Sequence, residues 1–93
     1  MPYKIVLTKS FRKSLKKLAY SSTIELSAIQ KVIDILMLNG TLPAQFRDHA
    51  LKGNYAGCRE CHMKGDLLLI YEIDDKLKLI TLVEIGSHSE LFG

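Results

Sequence analysis

Residues 58–62 read Cys-Arg-Glu-Cys-His. Taken alone, this is the signature of covalent haem attachment, in which two thiols add to the porphyrin vinyl groups and the adjacent histidine supplies an axial nitrogen to iron. Cys58 and Cys61 with His49 or His88 would also be the right donor types for zinc. A second set of side chains suits a different chemistry. His49, His62 and His88 all lie in the second half of the chain, with Asp66 and the cations Lys52, Arg59 and Lys64 in the same stretch. Metal-free cleavage of RNA through its 2′-hydroxyl needs a base to remove that proton and an acid to protonate the departing 5′ oxygen. It also needs positive charge for the crowded phosphorane. Histidine titrates near neutrality, so in one site one ring can be neutral and another protonated. A carboxylate such as Asp66 favours a neighbouring imidazolium or fixes its tautomer, and lysine and arginine hold phosphates. Spacing alone leaves nuclease as one possibility beside ordinary surface histidines and solubilising cations.

The haem reading demands export to an oxidising compartment. The chain has 93 residues, the size of one domain, with 47% hydrophobic and 25% charged residues, the balance of an ordinary globular protein. From Met1 to Leu18 it carries Lys4, Lys9, Arg12, Lys13, Lys16 and Lys17 with no apolar core of a secretory signal. The longest apolar run is Leu67 to Tyr71, far short of a membrane span. A cytoplasmic address is expected, where thiols stay reduced. The formal net charge of +3 conceals an asymmetry: residues 1–20 hold six basic and no acidic residues, whereas residues 66–93 hold six acidic residues against Lys76 and Lys78. Such a basic segment suits a polyanionic or acidic partner, and equally a solvated helix face.

The elements that must position these groups follow from periodicity. Tyr3–Leu7 is rich in strand formers. Phe11, Leu15, Leu18 and Ala19 recur at helical spacing over residues 9–20, opposite the lysine cluster. Ser22-Thr23-Ile24-Glu25 fits a capping box opening a second helix with Ile24, Ala28, Ile29, Val32, Ile33 and Leu36 inward, and Asn39-Gly40 ends it. Residues 41–56 read as loop. Strands are predicted over Gly57–Met63, Leu67–Ile73 and Lys76–Ile85, with Asp74-Asp75 as the hairpin between the last two. The order β-α-α-β-β-β predicts a single α+β domain, residues 1–93, with an antiparallel helix hairpin on one face of a small, mainly antiparallel sheet.

This layout decides between the two chemistries. In a strand, residues three apart point to opposite faces. Cys58 shares a face with Glu60 and His62, and Cys61 points the other way, so the thiols cannot grip one porphyrin, close a disulfide or bind one metal without a bulge. Cys61 is expected in the core and Cys58 to be incidental.

Asp48-His49-Ala50-Leu51-Lys52-Gly53, Arg59-Glu60-Cys61-His62, Asp66-Leu67-Leu68-Leu69-Ile70-Tyr71 and Gly86-Ser87-His88-Ser89-Glu90-Leu91-Phe92, in that order, closely resemble the YafQ branch of the RelE/ParE toxins. The resemblance implies the toxin of a bacterial type II toxin–antitoxin pair, a ribosome-dependent endoribonuclease that cuts mRNA without metal or other cofactor. It carries over His49, His62, Asp66, His88 and Phe92 as the site. His88 is implied as general acid, and His62 or Asp66 as base or orienter, although nothing in the sequence orders acid and base. His49 would contact phosphate or tune its neighbours, and Phe92 would hold or stack a base. Where relatives carry tryptophan after the aspartate this chain has Leu67, which puts any stacking role there in doubt. Lys9 to Lys17 would face ribosomal RNA, and a cognate antitoxin would cover part of the domain, with the groove between helices and sheet a reasonable docking place. Two other readings compete. One is a ParE-like inhibitor of DNA gyrase, which does not depend on this histidine set. The other is a metal-binding or redox protein built on Cys58 and Cys61.

Overall fold

The computed structural model describes residues 2–20 and 26–93. Strand β1 (Lys4–Leu7) leads into helix α1 (Lys9–Ala19), and helix α2 (Leu26–Asn39) follows. Four further strands come next: β2 (His49–Ala50), β3 (Arg59–His62), β4 (Leu67–Asp74) and β5 (Leu79–Ser87), then a terminal helix α3 (His88–Phe92). The strands form one five-stranded sheet in the order β1-β5-β4-β3-β2, antiparallel except for the parallel β1–β5 pair. The predicted α+β layout holds, with two additions, β2 and α3. The capping box expected at Ser22 lies outside the described residues.

Helical spacing buries one side of each long helix. Phe11 of α1 and Ile29, Val32 and Leu36 of α2 pack with Cys61, Leu69, Tyr71, Ile80, Leu82 and Ile85 of the sheet. Leu15, Leu18 and Ile33 pack at the margin of this core, while Ala19 is exposed. Burying each large side chain contributes about 1.5–3 kcal/mol. Thr8 starts α1: its hydroxyl accepts from Phe11 N–H at 2.9 Å and donates to the Val83 carbonyl at 2.7 Å. Gly40 ends α2 at φ 70°, with its N–H on the Leu36 carbonyl at 2.8 Å. A Cβ there would fall 2.5 Å from the Tyr3 ring, so only glycine lets β1 cross the helix end so closely.

Two details of the last hairpin differ from expectation. Asp74 ends β4 rather than forming the turn, which spans residues 75–78 and turns through Lys78 at φ 53°. Leu77 N–H closes it on Asp74 Oδ1 at 3.0 Å. Farther along, Tyr71 pairs with Leu82 and Ile70 with Glu84, so Val83 is the extra residue of a bulge. The buried positions on β5 change phase there, from Ile80 and Leu82 to Ile85. The bulge re-aims the end of β5, which carries Ser87 and His88 into α3. Across it, Ser10 and Ser14 of α1 both donate to the Glu84 carboxylate. Burial works against ionisation of Glu84, but these two hydroxyls and the Ile85 N–H outweigh it and lower its pKa.

Candidate active site

Residues 41–56 are less loop-like than their composition implies. Arg47 adopts a left-handed conformation (φ 52°) after the short turn Ala44–Phe46, and the chain then pairs for two residues as β2. That pairing sets His49 directly opposite Glu60. Residues opposite one another share a face, and period two adds His62 to it. His49 Nε2 lies 3.3 Å and His62 Nε2 3.6 Å from the same Glu60 oxygen, Oε1. The imidazole rings are 6.1 Å apart. Glu60 is only 5% exposed, beside its buried cross-strand neighbour Ile70, and its Oε2 has no hydrogen-bond partner among the described residues. The two histidine side chains are 50% and 32% exposed, so one buried carboxylate underlies two solvent-reachable imidazoles.

The ring nitrogens of His49 are distinguished by their partners. Nδ1 is 2.8 Å from the Arg47 carbonyl, which can only accept. Nδ1 therefore carries hydrogen, and a neutral His49 turns the lone pair of Nε2 toward the Glu60 carboxylate.

His88 reaches the site from the other side of the sheet's end. His62 pairs with Leu68, which pairs with Gly86, and the last β4–β5 pair is Leu67 with Ser87. Asp66 and His88 thus lie just beyond that final pair, Asp66 at the start of the strand next to β3 and His88 two strands, about 10 Å at ordinary strand spacing, from β3. Ser87 caps α3 in a full capping box: its hydroxyl accepts from Glu90 N–H at 3.3 Å, and Glu90 Oε1 accepts from Ser87 N–H at 2.8 Å. Those bonds to Ser87 lower the Glu90 pKa. His88 and Phe92, four apart on α3, have rings 5.1 Å apart, and Phe92 meets Tyr55 edge-on at 5.8 Å. Gly86 lets α3 fold back closely, since a Cβ there would be 3.2 Å from Glu90 Oε1.

The expected site residues thus divide. His49 and His62 come together, joined by Glu60, which the sequence reading passed over. The carboxylate beside His62 is Glu60, whereas Asp66 is exposed in the turn before β4. His88 and Phe92 share α3, and Phe92 is 41% exposed, so it is no core anchor. Lys52 and Lys64 are exposed in the loops flanking β3. Arg59 is not brought to the histidines, because alternation turns it to the other face, where its Nε donates to Asp48 at 3.0 Å and that bond raises its pKa. Leu67 is buried in the core and unable to stack on a substrate. The thiols are free and kept protonated: burial pushes Cys61 up to about 12 and also raises Cys58. Glu60 had a signal in its position two before His62 in a predicted strand, and Tyr55 had none. The α3 helix had one in Ser87-x-x-Glu90.

Residues 3–93 match the family described as the bacterial toxin of type II toxin–antitoxin system, YafQ. The chain belongs to the YafQ family. It is 34% identical over 91 residues to the mRNA interferase toxin YafQ of Escherichia coli K12, covering 96% of this chain and 84% of the relative. It superposes on YafQ in the E. coli DinJ–YafQ toxin–antitoxin complex with TM-score 0.85 at 31% identity, over the whole of both chains. A metal-bound toxin from Helicobacter pylori gives TM-score 0.85 at 41% identity, over 99% of this chain and 100% of that one. The YafQ fold in this chain therefore sets Asp66, His62 and His88 at one end of the sheet, with the His49–Glu60 pair next to them.

Proposed function

We propose that this chain is the toxin of a type II toxin–antitoxin pair, an endoribonuclease that cuts mRNA on the ribosome by metal-free acid–base chemistry and is restrained by a cognate antitoxin. The observation that carries this reading is the buried Glu60 carboxylate shared by His49 and His62 at the sheet end that also bears His88. The mRNA interferase activity of the E. coli relative and its complex with DinJ support it.

The chemistry divides among the residues by their place. His62, backed by Glu60, accepts the 2′-hydroxyl proton, and the buried carboxylate stabilises the imidazolium so formed. Asp66, in the neighbouring turn, assists at the same side. His88, at the start of α3, protonates the departing 5′ oxygen. His49, with Lys52 and Lys64 on the flanking loops, offsets charge on the phosphorane. Phe92, fixed by Tyr55 and His88 yet exposed, stacks an unpaired base.

Expression of the intact chain in bacteria should halt growth and leave mapped mRNA ends within translated regions. His88→Ala should relieve both, lowering the cleavage rate by roughly 10²–10⁴-fold, the usual contribution of one proton-transfer group. An equally toxic variant would remove His88 from the mechanism. Intact messages alongside stalled gyrase would establish the gyrase-inhibitor reading instead.

A further inference from the structure

Strand β2 carries His49 with little of its own to hold it in place. It has two residues, both exposed, at the edge of the sheet, so no buried side chain of the strand pins it to β3. Before it, Phe46 packs at the margin of the core, and after it Leu51 N–H donates to the Cys58 carbonyl at 2.9 Å. Between these anchors the chain passes through Arg47 at φ 52°, whose carbonyl meets His49 Nδ1 at 2.8 Å. The same short stretch must also set His49 Nε2 3.3 Å from Glu60 Oε1. Two residues of edge pairing fray readily unless something else ties them down.

The back of this stretch carries an ion pair. Ala50 pairs with Arg59 and Arg59 with Tyr71, so these three share the face that packs against the helices. Asp48 reaches the same row from beside His49, its Oδ1 accepting from Arg59 Nε at 3.0 Å. The Asp48 side chain is only 16% exposed, so water screens the contact from one side alone. The Tyr71 hydroxyl near them is buried, and burial first, then the Asp48 carboxylate, keep it protonated. Neighbouring residues thus grip neighbouring partners from the two faces of the sheet. Asp48 holds Arg59 behind, and His49 meets Glu60 in front.

We propose that Asp48 and Arg59 are positioning residues, whose ion pair clamps β2 onto β3 from the helix side and so fixes His49 against the Glu60 carboxylate. Their effect on cleavage rests on the acid–base reading of His49, Glu60 and His62. The clamp gives Arg59 work other than holding phosphate, which its orientation away from the histidines denies it. Without the clamp, β2 loosens, the bond from His49 Nδ1 to the Arg47 carbonyl is made only part of the time, and Glu60 loses one of its two imidazoles. A misplaced reacting group costs rate far more than binding.

The test is a double-mutant cycle on the full chain, with Asp48→Ala, Arg59→Ala and the two combined, assayed for cleavage of ribosome-bound message. Each single variant should lower the maximal rate by roughly tenfold or more, with the half-saturating concentration within about twofold of wild type. The combined variant should be no more than about twofold slower than the slower single, since both changes break one contact. In nitrogen NMR of the neutral ring, His49 should pass from the Nδ1–H form to a mixture of tautomers in all three. The thermal melt should move little, because one solvent-reachable ion pair adds little to global stability. Asp48→Asn and Arg59→Gln, which keep the shape and lose the charge, stand in for any alanine variant that melts early. Losses of rate that add in the combined variant, or an unmoved His49 tautomer, overturn the clamp. So does an Arg59→Ala variant that weakens binding and reduces the slope of log affinity against log salt by about 1 while Asp48→Ala does neither, since Arg59 is then a phosphate contact. A wild-type chain that cuts no message overturns the nuclease reading instead, and the tautomer, read without RNA, still decides the clamp.

Discussion

At the scale of single residues, the proposed chemistry rests on a contact that the sequence disguises. His49 and Glu60 are eleven positions apart and meet only because β2 pairs with β3 for two residues. So short a strand has no periodicity to reveal it. The histidines themselves were legible as residue types with an obvious use, and strand alternation placed Cys61 in the core, where it is buried. The carboxylate was sought at Asp66, near His62 in sequence and implied by the family resemblance, whereas the one that pairing sets beside His62 is Glu60. Replacing Glu60 with glutamine keeps the shape but removes the negative charge that stabilises an imidazolium. Glu60→Gln should lower kcat by roughly 10²-fold or more, within the range of general acid–base contributions, with a much smaller change in KM. Single-turnover cleavage of a bound message would measure it. A variant with wild-type kcat would leave Glu60 only a structural part.

At the scale of elements, α1, α2 and the long strands were readable because their apolar residues repeat at 3.6 or 2 positions and fill one core. The bulge at Val83 and the turn at residues 75–78 were not, since both depend on tertiary pairing that no local pattern records. The α3 helix lies between these cases. Its apolar residues are too few to show a period, yet the capping box at Ser87 and Glu90 is written in the sequence and is what holds His88 and Phe92 in fixed relation. Losing the Ser87 hydroxyl removes a cap worth about 1 kcal/mol, which in a five-residue helix is a large share of its local stability. Ser87→Ala should therefore lower kcat several-fold by loosening His88, while Ser87→Asp, which can cap in the same way, should restore most of it. The global thermal melt should shift little in either variant, because α3 contributes no buried residue. If the aspartate variant is as slow as the alanine one, the cap is not what positions the histidine.

At the scale of the whole molecule, charge and chemistry are set apart. The histidines and carboxylates of the proposed site line one end of the sheet, whereas Lys9, Arg12, Lys13, Lys16 and Lys17 are all exposed along α1, which packs on β5. Lys13, Lys16 and Lys17 share a groove with Tyr20, a surface of cations beside one exposed aromatic ring. Such a surface fits nucleic acid, where cations displace counterions and rings stack on bases. Because no α1 lysine joins the proposed catalytic cluster, the work of these lysines should be binding alone. Replacing Lys13, Lys16 and Lys17 together with serine should weaken association with ribosomes and reduce the slope of log affinity against log salt by about 2–3, the loss expected for three phosphate contacts. The cleavage rate at saturating substrate should stay near wild type, since His62, Glu60 and His88 are untouched. An unchanged salt slope would mean that these lysines only solubilise α1, and that the cations near the site, Lys52 and Lys64 among them, carry the hold on RNA.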